Sequence, residues 1–225
     1  MNAPAVFVAG TDTGVGKTRV GVALSEALRS RGLRVGVFKP AETGCSPEAP
    51  ADALALREAS GCQAPLDLIC PYRLPEPLAP AIAAKRARVR IDPLRVEECL
   101  RQLRVTHDVV VCEGAGGLLV PFCDGVLTVE WLREVGLPVV LVGRLGLGSI
   151  NHTLLSARLL ASVGLELLGT ILSETHPAST VAEQTNPHVL RGYPEVALLG
   201  VLGHASRPRW EASWVEHLAG RLGLR

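Results

Sequence analysis

Short apolar runs recur along this chain at regular intervals: Ala5-Val6-Phe7-Val8-Ala9, Leu33 to Phe38, Asp108 to Cys112, Leu137 to Val142, Glu166 to Leu172 and Val196 to Leu202. Runs of this length with little polar alternation predict strands buried on both faces, as in a parallel sheet. Helical spacing fills the intervals. Thr18 to Arg31 puts Val22, Leu24, Ala27 and Leu28 on one apolar face and stops at Gly32. Further helices are predicted at Ala51 to Ala59, at Thr128 to Val135, at Ser149 to Val163 with Ser149 as cap, near 178–191 and near 210–222. Another runs to about Thr106 from Asp92 as N-cap, with Pro93 at the first helical position. Residues 41–51 read as loop. Residues 65–80 hold Pro65, Pro71, Pro75, Pro77 and Pro80, too many for a helix or a central strand, and so predict an ordered loop packed over something. Strands alternating with helices over 225 residues predict one α/β domain, 1–225, built on a mostly parallel sheet with right-handed crossovers and helices on both faces.

Composition narrows the class. The formal net charge of +1 suggests neither a nucleic-acid nor a membrane partner. Six cysteines, with no C-x-x-C pair and no zinc-like spacing, read as scattered reduced thiols. No basic segment precedes the first apolar run, and no run approaches the ~20 residues of a membrane span. A soluble, cytoplasmic protein is expected. Of the 23 basic residues only Lys17, Lys39 and Lys85 are lysine, and two of them closely follow predicted strands.

Those two lysines mark the chemistry. Gly10-Thr11-Asp12-Thr13-Gly14-Val15-Gly16-Lys17-Thr18 follows the first strand and opens the first helix, the layout of a phosphate-binding P-loop. Its glycines let successive N–H groups face a polyphosphate, the helix N-terminus adds positive potential, Lys17 adds a mobile charge, and Thr18 offers a hydroxyl to Mg²⁺. The spacing is unusual, with five residues rather than four between Gly10 and Gly16. Ligands of such sheets bind outside the carboxyl ends of the strands, where Lys39 follows the second strand and Glu113 the third. Glu113 is a natural direct or indirect partner of Mg²⁺. Lys39 either neutralises charge on a transferred phosphoryl group, binds an anionic substrate, or is a solvated loop lysine. Asp52 is either a metal or nucleotide ligand or simply a helix cap. The glycines of Gly114-Ala115-Gly116-Gly117 serve either close approach to a ligand or only the turn. Ser149-Ile150-Asn151-His152 opens a helix after a Gly-rich segment and makes a second anion site, with His152 read as structural.

Together these segments resemble the dethiobiotin synthetase family. Gly10 to Thr18 reproduces its G-T-D-T-x-V-G-K-T loop, Lys39-Pro40-Ala41-Glu42-Thr43-Gly44 is similar to K-P-x-x-T/S-G, and Asp52 to Leu56 to D-A-x-x-L. The segment from Pro71-Tyr72 to Pro80 resembles its proline-rich loop. Glu113 to Gly117 and Gly148 to His152 resemble E-G-A-G-G and L-G-x-I-N-H. The resemblance implies a P-loop NTPase-type fold, a homodimer, and a reaction of 7,8-diaminononanoate, CO₂ and ATP with Mg²⁺ as cofactor. It implies that Thr18, Asp52 and Glu113 hold Mg²⁺, that Lys17 and Lys39 steady the phosphoryl group and carbamate, and that Thr13 and Thr43 contact phosphate or substrate. Gly14, Val15, Gly16, Arg19 and Gly114 to Gly116 would line the nucleotide, with Gly117, Ser149 and Asn151 toward the substrate, whose carboxylate reaches Asn151 of a neighbouring subunit. Ser173 stands where many members have an asparagine that reads adenine, and Gly203-His204 where a proline is common. Weak discrimination among nucleoside triphosphates is therefore expected. A partitioning-type ATPase would carry an extra lysine five residues before Lys17, where this chain has Asp12, and a cobyrinate-type amidoligase needs a glutaminase domain for which 225 residues leave no room. From residue type alone, Lys39→Ala should lower turnover far more than stability.

Overall fold

The structure is a computed structural model, described here for residues 2–177, 180–205 and 210–224. The chain opens with β1 (Ala5–Gly10), α1 (Lys17–Ser30), β2 (Val35–Phe38) and β3 (Ala41–Thr43). It continues through α2 (Ala51–Ser60), α3 (Leu66–Ile69), β4 (Tyr72–Leu74), α4 (Pro80–Arg86), α5 (Pro93–Thr106) and β5 (Val109–Gly117). A hairpin of β6 (Pro121–Cys123) and β7 (Val126–Leu127) leads into α6 (Thr128–Val135), β8 (Val139–Arg144) and α7 (Ser149–Ser162). The last elements are β9 (Leu167–Ser173), α8 (Val181–Arg191), a 3₁₀ turn (Pro194–Val196), β10 (Leu198–Leu202) and α9 (Ala212–Leu222).

Six strands form one sheet in the order β10-β9-β8-β1-β5-β2, every pairing parallel. Strand β1 shows why: all six of its residues are buried. Ala5, Phe7 and Ala9 enter one apolar cluster with Phe38, Leu103, Trp131 and Leu160, while Val6 and Val8 enter another with Leu24, Leu28, Leu56 and Leu218. A strand covered on both faces needs apolar residues at every position, and each large side chain so buried is worth ~1.5–3 kcal/mol. From β1 the sheet extends through β5 and β2 on one side and β8, β9 and β10 on the other. A crevice opens at the carboxyl ends where the strand order reverses.

The predicted sheet and its main helices are present, with local corrections. The stretch 41–51 contains β3, and the proline-rich stretch contains α3 and β4. The two strands pair in parallel as a small separate sheet, so the prolines flank a peripheral ladder and break no central one. Strand β5 runs on through Glu113 to Gly117, whereas the motif was expected to follow it. The N-cap of α7 is Gly148, in a left-handed conformation with φ 88°; Ser149 is the first helical residue and its side chain makes no cap. Val22 and Ala27 are only half-buried, and the inner face of α1 is Val20, Gly21, Leu24 and Leu28. The strand expected from Val196 begins at Leu198, after a turn through Ala197 at φ 49°. Of the helix expected at 178–191, positions 178 and 179 lie outside the described residues. Asp92 does cap α5, accepting the Leu94 N–H at 3.1 Å. All six cysteines are free thiols. Among the described residues no helix is long and apolar enough to cross a membrane.

Candidate active site

The loop after β1 turns through Gly14 (φ 71°) and Gly16 (φ 95°), and Gly16 is the N-cap of α1. A Cβ on Gly16 would lie 2.3 Å from Ser173 Oγ, so this residue must be glycine for space as well as for backbone conformation. Val15 is buried beneath the loop in the core. Lys17 is buried too, its Nζ donating to the Asp12 carbonyl at 2.9 Å across the loop. Burial and the neighbouring Lys39 charge bring the Lys17 ammonium down to about 8; a bound polyphosphate would favour its charged form.

Beside the loop lies a compact ionic group. Lys39 Nζ donates to Glu113 Oε1 at 2.6 Å and to Asp52 Oδ2 at 2.8 Å, and Thr18 Oγ1 donates to the same Glu113 oxygen at 2.8 Å. Lys39 is 2% exposed, so it is no solvated loop lysine. Burial disfavours its charge, but Glu113 and Asp52 together outweigh burial and hold the ammonium above its ordinary range. Asp52 is partly desolvated, yet Lys39 and Thr18 hold its carboxyl below the usual range.

The alternative reading of Asp52 as a helix cap is excluded by Glu42, a residue that motif reasoning passed over. Its buried carboxylate accepts the N–H groups of Asp52 (3.0 Å) and Ala53 (2.9 Å), capping α2 from outside and leaving the Asp52 side chain for Lys39. Burial pushes the Glu42 carboxyl up against the two N–H bonds that favour its charge. An acidic residue three positions after Lys39 was the available signal, but nothing local tells a cap of another helix from a solvent-facing glutamate.

The glycines of the β5 motif serve the site. Between the pairs Val8↔Glu113 and Gly10↔Gly117, β1 advances two residues and β5 four, so Gly114-Ala115-Gly116 bulge outward. They line a cavity of about 370 Å³ together with Thr13, Gly14, Gly16, Lys17, Thr18 and Arg19, and with Lys39, Glu42, Thr43, Asp52, Glu113 and Thr175. A larger groove of about 520 Å³ between α1 and α9 holds Trp210, Glu26 and Glu216 but none of the convergent groups. The smaller cavity, with its charges and backbone donors, is the candidate site.

Other expected residues fall elsewhere. Ser173 is fully buried at the end of β9, and Arg19 donates to its Oγ at 3.1 Å. Gly203 accepts from Arg19 at 2.8 Å, and the His204 N–H donates to Glu174 at 2.5 Å; neither Gly203 nor His204 lines the cavity. Gly117 pairs with Gly10 at the base of the loop. Ser149 and Asn151 do not line the cavity; Ser149 is buried and accepts from Asn186 at 3.0 Å, while Asn151 is exposed.

The donor set fits Mg²⁺. Glu113 Oε2 is buried without a hydrogen-bond partner among the described residues. The oxygens of Thr18, Asp52 and Glu113 meet within hydrogen-bonding reach of Lys39 or of one another. No three His, Cys, Asp or Glu side chains form a metal cage among the described residues. Mg²⁺ characteristically uses one or two carboxylates, a hydroxyl, water and phosphate oxygens instead.

Strand, glycine loop, helix N-terminus, buried lysine and hard-oxygen ligands on a parallel sheet define a P-loop nucleotide-binding α/β protein. Comparisons with known proteins agree. A family model described as AAA domain matches residues 4–209. An ATP-dependent dethiobiotin synthetase BioD from Anaeromyxobacter sp. (strain K) is 46% identical over 182 residues, covering 81% of this chain and 82% of that relative. The chain belongs to the dethiobiotin synthetase family, within the AAA-domain grouping. The fold alone is shared with a putative plasmid partition protein from Borrelia burgdorferi B31, at TM-score 0.59 and 11% identity over 99% of this chain and 98% of that one. It is shared also with the signal recognition particle receptor FtsY of Elizabethkingia anophelis, at TM-score 0.56 and 17% identity, where all of this chain spans 65% of the receptor chain.

Proposed function

We propose that this chain is a ligase that closes the ureido ring of dethiobiotin from 7,8-diaminononanoate, CO₂ and ATP. One amine captures CO₂ as a carbamate. A carbamate oxygen attacks the γ-phosphorus and ADP leaves; the second amine then attacks the carbonyl carbon of the mixed anhydride, and phosphate departs as the ring closes. Such chemistry asks the protein mainly for positioning and charge neutralisation. The backbone of Gly14 to Thr18 receives the phosphates, Lys17 and Lys39 neutralise the transferred group and the carbamate, and Thr13 and Thr43 contact phosphate or substrate. Thr18, Asp52 and Glu113 would hold Mg²⁺, which supplies neutralisation of triphosphate charge.

The observation that carries this reading is Lys39, buried and bridging two carboxylates beside the P-loop. The partitioning ATPases, which act as switches, would carry their second lysine within the P-loop, where this chain has Asp12; here the second lysine instead follows β2. The active form is a homodimer, with Asn151 and the start of α7 receiving the substrate carboxylate from the neighbouring subunit. In support, Leu147, in the loop before α7, and Leu155, one turn after Asn151, are 92% and 60% exposed. The chain acts as a single cytoplasmic domain with no nucleic-acid or membrane partner. The test is to incubate purified protein with diaminononanoate, bicarbonate, Mg²⁺ and ATP and to follow phosphate and a cyclic urea by mass spectrometry. Stoichiometric formation of both is expected; phosphate release indifferent to the diamine would overturn the reading in favour of a switch.

A further inference from the structure

Thr18 and Arg19 are adjacent in α1 but serve opposite sides of β1. Successive helical side chains are rotated by about 100°: Thr18 bonds Glu113 on β5, whereas Arg19 crosses toward β9 and β10. Arg19 Nη1 donates to Ser173 Oγ at 3.1 Å and to the Glu174 carbonyl at 2.5 Å, and Nη2 donates to the Gly203 carbonyl at 2.8 Å. One guanidinium therefore ties the first turn of α1 to the carboxyl ends of two strands. At ~4.8 Å between neighbouring strands, these lie roughly 10 and 14 Å from β1.

The sheet order gives that tie a purpose. Lys39, Asp52 and Glu113 gather on the β5 and β2 side of the P-loop, where the γ-phosphate must lie to meet them. The nucleoside half of a triphosphate crossing the loop then leaves on the other side, toward β9 and β10. There Thr175 lines the same cavity as Arg19. Ser173 does not face that space: it is fully buried and packed against Gly16. On that side Thr175, after β9, lines the cavity, and Arg19 joins the segments after β9 and β10 through main-chain carbonyls.

We propose that Arg19 is the positioning residue for the nucleoside half of ATP, clamping the segments after β9 and β10 into one wall without reading the base. The inference rests on the cavity being a nucleoside triphosphate site. Its test measures binding of ATP, GTP, CTP and inorganic tripolyphosphate, all with Mg²⁺, to the full chain, to Arg19→Ala and to Arg19→Lys by calorimetry. Arg19→Ala should weaken all three nucleotides about tenfold, the scale of lost charge-assisted hydrogen bonds, and leave tripolyphosphate within about twofold. Tripolyphosphate thus doubles as the folding control. Arg19→Lys keeps the charge but not the fork and should recover little. An equal loss for tripolyphosphate, a loss confined to ATP, or no loss would each overturn the clamp. A native chain that binds neither ATP nor tripolyphosphate would instead overturn the nucleotide site beneath it.

Discussion

Lys39 Nζ lies 2.6 Å from Glu113 and 2.8 Å from Asp52, and Glu113 itself is fully buried. Removing the ammonium strands a carboxylate in the interior, which typically costs about 3 kcal/mol or more. Lys39→Ala should therefore lower turnover by about 10²–10³-fold and also lower the melting temperature. That revises the expectation from residue type, under which turnover suffers far more than stability. Millimolar Mg²⁺ should restore part of the melting temperature, because it neutralises the same carboxylates, without restoring turnover. Thermal melts with and without Mg²⁺ check this, and an unchanged melting temperature in the variant would refute the buried pair. The lysine's candidacy for the site was legible in the sequence from its scarcity and its place after a strand. Its burial was not, because both partners come from distant segments, one of them 74 residues away.

At the scale of elements, helix α2 depends on a residue outside it. Glu42 accepts the first free N–H groups of α2, and loss of such a cap costs about 1–2 kcal/mol. Glu42→Ala should destabilise the protein by that amount in urea melts. It should also lower turnover roughly tenfold by loosening Asp52 against Lys39, and Glu42→Gln should lie between the variant and the native chain. Full activity in Glu42→Ala would remove Asp52's orientation from the mechanism. The amino ends of β2 and β5, opposite the site, are joined by Arg34 and Asp108: the Arg34 N–H donates to Asp108 at 2.8 Å and its guanidinium at 2.6 Å. The Arg34 guanidinium and N–H hold the Asp108 carboxyl below its usual range. A depressed carboxyl stabilises the fold fully above its unfolded value near ~3.9 and progressively less as pH falls through the folded value. Asp108→Asn should therefore melt below the native chain at pH 7, with a gap that shrinks below about pH 4; a gap independent of pH would rule out the ion pair as its source. Long elements were legible in the sequence because burial on both faces, or a 3.6-residue period, extends over several residues. Three-residue strands such as β3 and β4 carry no periodic signature, and only their pairing reveals them.

At the scale of the whole molecule, Leu147 and Leu155 leave an apolar surface beside the exposed Asn151. With the dimer proposed above, the native chain should sediment at twice its 23.8 kDa mass, and Leu147→Asp with Leu155→Glu should halve that mass and cut turnover at least tenfold. A fully active native monomer would sink the shared site. By itself the sequence determined the sheet, the phosphate loop and the family, because apolar runs, glycine positions and motif spacing are local properties that survive in one dimension. Only the tertiary structure decided what Lys39, Asp52 and Glu42 do to one another, that Ser173 faces inward, and that Arg19 ties the start of α1 to the ends of two strands. Each of those depends on which strand ends lie side by side in the order β10-β9-β8-β1-β5-β2. Charge, burial and hydrogen-bond partners at the site are set across that order, between residues that the chain itself keeps far apart.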